Sequence, residues 1–218
     1  MTEREISRRP IKSRGSRWAT ASARWAASVG LRPNAISVLS VVFAAVAGVC
    51  LVLTNYVERS VAAGLFVAAA FGIQLRLICN LLDGMVAVEG GFRTKTGEVY
   101  NELPDRFADV LILVGAGYSL GHSSLMATSG WAASAGALLT AYIRSLGVVA
   151  GASQHFVGPM AKPQRMAVMT VACLGMAVCL WMQQPYKLIE VALWSVVVGC
   201  AVTAIRRTLR ILRELEAK

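Results

Sequence analysis

Apolar residues run in six stretches along this chain, at residues 35–53, 61–86, 103–120, 130–150, 166–181 and 188–204. Each is close to the roughly 20 residues that a helix needs to cross a bilayer. The connections are short, so the stretches predict one membrane domain, residues 31–218, with no internal repeat and no separate soluble unit. Residues 1–30 precede it. The first sixteen are basic and lack an apolar run, which reads against a cleaved signal peptide. From Arg17 the pattern turns amphipathic: Trp18, Ala21, Trp25 and Val29 share one face at helical spacing, with Arg17 and Arg24 beside it. That predicts a short helix lying in the headgroup layer; a helix packed on the protein is the alternative. The expected fold is all-α and integral to the membrane: six transmembrane helices preceded by an interfacial amphipathic helix.

Composition supports this class. Hydrophobic residues make up 56% of the 218, against about 45–50% in a soluble domain. Charge then orients the chain. The N-terminus, the 89–104 and 151–165 connections and the C-terminus are rich in Lys and Arg, while the opposite connections contribute only Arg59 and Lys187. The positive-inside rule puts both termini in the cytoplasm; the expected location is a bacterial inner membrane. The last residues, from Arg206 to Lys218, form a basic amphipathic tail suited to an anionic lipid surface. Cys50, Cys79, Cys173, Cys179 and Cys200 all fall in apolar stretches without metal-ligand spacing, and read as buried small hydrophobes. His122 reads as an interfacial residue and His155 as structural.

One stretch breaks the apolar pattern. Between Arg76 and Asp109 lie Asp83, Glu89, Glu98, Glu102, Asp105 and Asp109, six of the twelve acidic residues. Asn80, Asp83, Gly84 and Ala87 follow i, i+3, i+4, i+7 and share a helix face; Asn101, Asp105 and Asp109 follow i, i+4, i+8 and share another. Two helices facing each other with these stripes would converge oxygens on one point, the donor set that Mg²⁺, Mn²⁺ or Ca²⁺ prefers. Arg76 stands one turn before Asn80, at a depth where a charge needs a partner or a polar cavity. Gly84 and Ala87 leave the backbone open to a second helix or a ligand. Arg93 and Lys95 are candidates for contact with a diphosphate, or cytoplasmic anchors. Pro104 should turn Leu103 away from helical geometry. The third span would then begin or kink there, which would favour Asp83, Asp105 and Asp109 as ligands. The alternative for Asp109 is a structural carboxylate paired with Arg106. Further on, Arg144, Lys162 and Arg165 can together form an oxyanion pocket, although positive-inside anchoring also accounts for Lys162 and Arg165.

The run Asn80, Asp83, Gly84, Ala87, Val88, then eight residues to Gly97, Asn101 and Asp105 resembles the signature of the CDP-alcohol phosphatidyltransferases, D-x2-D-G-x2-A-R-x8-G-x3-D-x3-D. The spacing is kept throughout. Asn80 and Asn101 stand where the pattern has Asp, and Val88 where it has Arg. The resemblance implies a metal-dependent enzyme that moves a phosphatidyl group from CDP-diacylglycerol to an alcohol and releases CMP, with Mg²⁺ or Mn²⁺ as cofactor. It implies metal binding by Asp83 and Asp105, with Asn80 and Asn101 as neutral ligands, and Asp105 at the position of the base. Asp109 would restore part of the missing charge from one turn beyond the pattern. The entrance to the first span, Pro33-Asn34-Ala35-Ile36-Ser37, also resembles the family, where it borders the nucleotide. Pro33, Asn34, Ser37, Gly84, Ala87 and Gly97 are therefore the expected CDP contacts. Tyr142-x-Arg144 resembles the branches with phosphorylated polyol acceptors, so Tyr142, Arg144, Lys162 and Arg165 are the expected acceptor contacts, with glycerol 3-phosphate or inositol phosphate as examples. The expected partners are CDP-diacylglycerol, a small alcohol, the bilayer and, as an allowed assembly, a homodimer; nucleic acid is not among them. Loss of two carboxylates leaves open a second reading, a weak or inactive homologue that binds nucleotide-lipid or assists a partner enzyme. A small transporter would also carry charges in the membrane, but does not account for the glycine and carboxylate spacing.

Overall fold

The computed structural model describes residues 17–89, 96–184 and 187–218. They form seven α-helices: α1 (Arg17–Ser28), α2 (Pro33–Leu53), α3 (Arg59–Glu89), α4 (Gly97–Gly117), α5 (Ser124–Val149), α6 (Lys162–Trp181) and α7 (Leu188–Glu216). A 3-10 turn, Thr54–Tyr56, closes α2, and no strand occurs among the described residues. Pro33 opens α2 in its first turn, where a missing N–H costs nothing. Ser123 caps α5 by accepting from the Met126 amide. Each of the six apolar stretches became a helix, and α7 continues without a break through the basic tail.

Five helices are long and apolar enough to cross a membrane: α2 with its 3-10 turn, α3, α5, α6 and α7. The stretch expected as the third span is the exception. Its helix begins at Gly97, not at Pro104, and its first half carries Glu98, Glu102, Asp105, Arg106 and Asp109. Pro104 sits inside α4, so Asn101 and Asp105 stay one turn apart on the same helix. The proline leaves the Tyr100 carbonyl without its usual i+4 donor, which an α-helix tolerates near its start when packing holds it.

That packing is close. α4 lies against α2 and α5 where small residues let the backbones meet. A Cβ on Gly115 would stand 2.7 Å from the Gly48 carbonyl oxygen, and one on Gly130 2.8 Å from that of Leu113. Gly115→Val should therefore force α2 and α4 apart and destabilise the bundle by about 1–3 kcal/mol. Gly64→Ala, with nothing within 4 Å of the added carbon, should not. Thermal unfolding in detergent compares the two.

α1 docks on α3 through a face lined by Ala19, Ala23 and Ala26, all buried beside Cys79, Met85 and Val86. Trp25 and Val29, on the face read as interfacial, are turned outward and exposed. The core between the longer helices is built from small and flexible side chains, among them Ala44, Ala47, Ala133, Met166, Met169 and Met176. Valines and aromatics such as Val42, Phe71, Val171 and Trp181 face outward, as they do where lipid is the solvent.

Candidate active site

The site gathers where the late turns of α3, the first half of α4, the end of α5 and the start of α6 meet. Its spine is an acidic stripe on α4: Glu102, Asp105 and Asp109, at i, i+3 and i+7. Cations from three other helices close on it. Arg76 of α3 is fully buried; its Nη2 donates to Asp109 Oδ1 at 3.0 Å and to Asp105 Oδ1 at 3.3 Å. Arg165 of α6, 2% exposed, donates from Nη2 to Asp109 Oδ2 at 2.6 Å and from Nη1 to the Met160 carbonyl at 2.9 Å. Lys162, the first residue of α6, gives its ammonium to Asp105 Oδ2 and to Asn80 Oδ1. Asn80 in turn donates from Nδ2 to Asp105 Oδ1 at 3.0 Å.

Asp83 completes the group from α3. It is 4% exposed, accepts from Ser37 Oγ of α2 at 2.7 Å and from the Gly84 amide at 2.5 Å. A buried carboxylate needs such donors. The cluster is balanced in formal charge: Asp83, Asp105 and Asp109 against Arg76, Lys162 and Arg165. Some guanidinium donors are left over. Arg76 Nε and Nη1 and Arg165 Nε are buried with no hydrogen-bond partner among the described residues.

Several sequence expectations meet here, and some change. Asn80, Asp83 and Asp105 converge as the helix spacing predicts, Ser37 joins them from α2, and Arg76 points into the group. Both oxygens of Asp109 are bonded to guanidinium groups, one to Arg76 and one to Arg165, so the pairing weighed as its alternative is present, with other partners. Arg106, weighed as its partner, bonds instead to Glu102 Oε2 at 3.0 Å. Arg144, Lys162 and Arg165 do not bond to a shared anion; each is held by a different carboxylate of the stripe. Arg144 Nη2 reaches Glu102 Oε1 at 2.5 Å, and its guanidinium lies over the Phe156 ring, 5.6 Å from the centroid. Tyr142 is exposed and lines a groove of about 420 Å³ with Glu102, Arg106 and Ser145. Pro33 and Asn34 stand one turn before Ser37 at the start of α2, Gly84 and Ala87 follow Asp83 on α3, and Gly97 opens α4. Arg93, Lys95 and the side chains of Val88 and Asn101 lie outside the described residues.

Sequence reasoning missed one element. Arg207 of α7 is buried and donates to the Val157 carbonyl at 3.0 Å and the Thr140 carbonyl at 2.5 Å. Thr203, one turn earlier, accepts from the Met160 amide at 3.0 Å, and Glu214 accepts from Ser153 and pairs with His155 at 2.5 Å. This face of α7 holds the connection that delivers Lys162 and Arg165. The i, i+4 pair Thr203 and Arg207, set inside an apolar helix, was the available signal.

The donor set bears on whether a divalent ion fits. Among the described residues no three His, Cys, Asp or Glu side chains gather into a ready metal cluster. Amide oxygens widen the choice: Asn80 Oδ1 and Asp105 Oδ2 both close on one cation, the Lys162 ammonium, with Asp83 one turn from Asn80. The ammonium marks where these two oxygens meet; Asp83, Asp105 and Asn80 are the side chains that could hold a hard cation.

No protein-family model matches the chain, and no curated protein matches it in sequence. The likeness lies in solved structures, and it is a likeness of fold. The Mycobacterium tuberculosis phosphatidylinositol phosphate synthase with CDP-DAG bound superposes with a TM-score of 0.70 at 22% identity, over 92% of this chain and 94% of that one. The same synthase in complex with manganese and citrate gives 0.70 at 22%, over 89% and 88%. Its apo form gives 0.67 at 22%, over 88% and 94%.

Proposed function

We propose that this protein is an integral-membrane CDP-alcohol phosphatidyltransferase. It transfers the phosphatidyl group of CDP-diacylglycerol to a small alcohol and releases CMP. The observation that carries the reading is the meeting of Asp83 and Asn80 with Asp105 at one end of a bundle that shares its fold with a synthase of this chemistry. The six helices after α1 form the membrane domain, α1 rests at the headgroup layer with Trp25 and Val29 outward, and the site lies at the cytoplasmic end of an inner membrane. Lys and Arg concentrate at that end.

Asp83, Asp105 and Asn80, with Asn101 as a further amide ligand, would hold Mg²⁺ or Mn²⁺, which when bound would supply neutralisation of the diphosphate and of leaving CMP. The chain's own residues do the rest. Ser37 fixes the Asp83 carboxylate. Pro33, Asn34, Gly84, Ala87 and Gly97 line the approach of the nucleotide. Asp105 takes the proton from the acceptor hydroxyl as its oxygen bonds to the phosphatidyl phosphorus and the bond to the CMP oxygen breaks. Arg144, with Tyr142 beside it, receives a phosphate of the acceptor, which then replaces Glu102 as the anion on that guanidinium. Inositol phosphate and glycerol 3-phosphate have the chemistry this pocket asks for.

Arg144→Ala should raise KM for a phosphorylated acceptor about ten- to a hundredfold, the value of a charged hydrogen bond, with little change for CDP-diacylglycerol. Arg144→Lys should also be impaired, because the planar fork is lost. Equal losses for both substrates would remove the dedicated acceptor site.

A second reading is favoured by one observation: Asp105 already accepts from Arg76, Asn80 and Lys162. A carboxylate so fully bonded suits a homologue that binds nucleotide-lipid without turning it over. Purified protein given CDP-diacylglycerol, Mn²⁺ or Mg²⁺ and a panel of alcohols separates the two. CMP with a new phospholipid supports the transferase; bound CDP-diacylglycerol without CMP supports the binder.

A further inference from the structure

Asn80 Oδ1 and Asp105 Oδ2, from two helices, meet on the ammonium of Lys162 from a third. The surrounding groups are committed. Asp105 Oδ1 takes Asn80 Nδ2 and Arg76 Nη2, and Asp109 is held by Arg76 and Arg165. These guanidinium groups are buried in fixed pairs. Lys162 differs from them: its side chain is 21% exposed, it sits at the start of its helix, and a flexible four-carbon stem carries a compact charge. An ammonium and a hard divalent ion ask the same thing of these oxygens.

Asn80 suits this arrangement in a way that Asp does not. Its amide donates to Asp105 and accepts from Lys162 at once. A carboxylate at position 80 would have no proton to give and would face Asp105 with like charge.

We propose that Lys162 is a resident counter-ion that holds the cation seat between Asn80 and Asp105 and leaves it when a divalent ion binds. Without the ion, the ammonium occupies the Asp105 oxygen that Arg76 and Asn80 leave open, at the cost of weaker metal affinity. This inference rests on the reading that the site takes Mg²⁺ or Mn²⁺, but its test does not pass through catalysis.

The experiment is Mn²⁺ binding to the purified full chain in detergent, without nucleotide, with free Mn²⁺ followed by electron paramagnetic resonance. Lys162→Met keeps the stem and removes the charge. It should bind Mn²⁺ tighter by about tenfold or more, within the usual range of coupling between two ligands. Lys187→Met makes the same substitution on an exposed lysine of the opposite connection and should shift affinity by less than about twofold, since distant charges are screened. In the wild type, reductive methylation of Lys162, read by mass spectrometry, should rise when Mn²⁺ is added. The inference is overturned if Lys162→Met binds Mn²⁺ no tighter than the wild type, or if Lys187→Met tightens binding as much. If Lys162→Met does not fold, the methylation decides: labelling of Lys162 that Mn²⁺ leaves unchanged overturns it. Tight Mn²⁺ binding with no CMP release in any assay would sink the transferase reading and leave this one standing.

Discussion

Asp109→Ala should cost about 3–5 kcal/mol of fold stability, the usual loss when one partner of a buried ion pair is removed. Asp109 is 1% exposed and holds two guanidinium groups, one on each oxygen. Removing it leaves Arg76 and Arg165 with uncompensated charge inside the bundle. Arg165 also ties down the Met160 carbonyl, so the start of α6 should loosen with it. Asp109→Asn keeps oxygen and shape and should lose less. The measurement is thermal unfolding in detergent with a chelator present, where no divalent ion can contribute. A variant that unfolds like the wild type under chelator but binds Mn²⁺ more weakly would make Asp109 a ligand after all.

Asp105→Asn should lower kcat for CMP release by roughly 10²–10⁴-fold, the contribution of a positioned general base. The variant keeps the volume of the original and one acceptor oxygen; because Lys162 donates to Oδ2 and Arg76 and Asn80 donate to Oδ1, one of these two sides loses its bonds. Loss of turnover with retained fold and retained CDP-diacylglycerol binding would therefore report on charge and basicity, not on collapse. Asp83→Asn should also suffer, through the metal, and saturating Mn²⁺ should recover most of its rate, but for Asp105→Asn only the part lost through weaker metal binding. Full recovery of both by metal would move the base away from Asp105.

Much of this site was legible in the sequence because helix periodicity is local. The i, i+3 spacing of Asn80 and Asp83 and the i, i+4 spacing of Asp105 and Asp109 fix faces without knowledge of the neighbours. A lone arginine in an apolar helix, Arg76, had to find carboxylates, and it did. What stayed hidden were the pairings between helices. Asp109 meets Arg76, 33 positions earlier, and Arg165, 56 positions later; no local pattern selects those over Arg106, its neighbour in sequence. Lys162 read equally well as an anion-pocket residue or an anchor, and only the approach of α6 to α3 and α4 puts it on Asn80. Pro104 misled for a different reason. The bias of the residue before proline is a preference of the isolated chain, and α4, pinned to α2 and α5 through glycine contacts, overrides it. The cysteines behaved as small hydrophobes: Cys79, Cys173 and Cys200 are buried, and none is bonded to another.

The transferase reading is tested most directly by the balance of its products. Purified protein in mixed micelles with CDP-diacylglycerol, Mn²⁺ and a phosphorylated polyol should form CMP and a new phospholipid in equal amounts, and a chelator should stop both. Asp105→Asn, folded and loaded with the same lipid, should form neither. CDP-diacylglycerol that binds yet yields no CMP with any acceptor at saturating metal would contradict the account and leave the protein a binder of nucleotide-lipid.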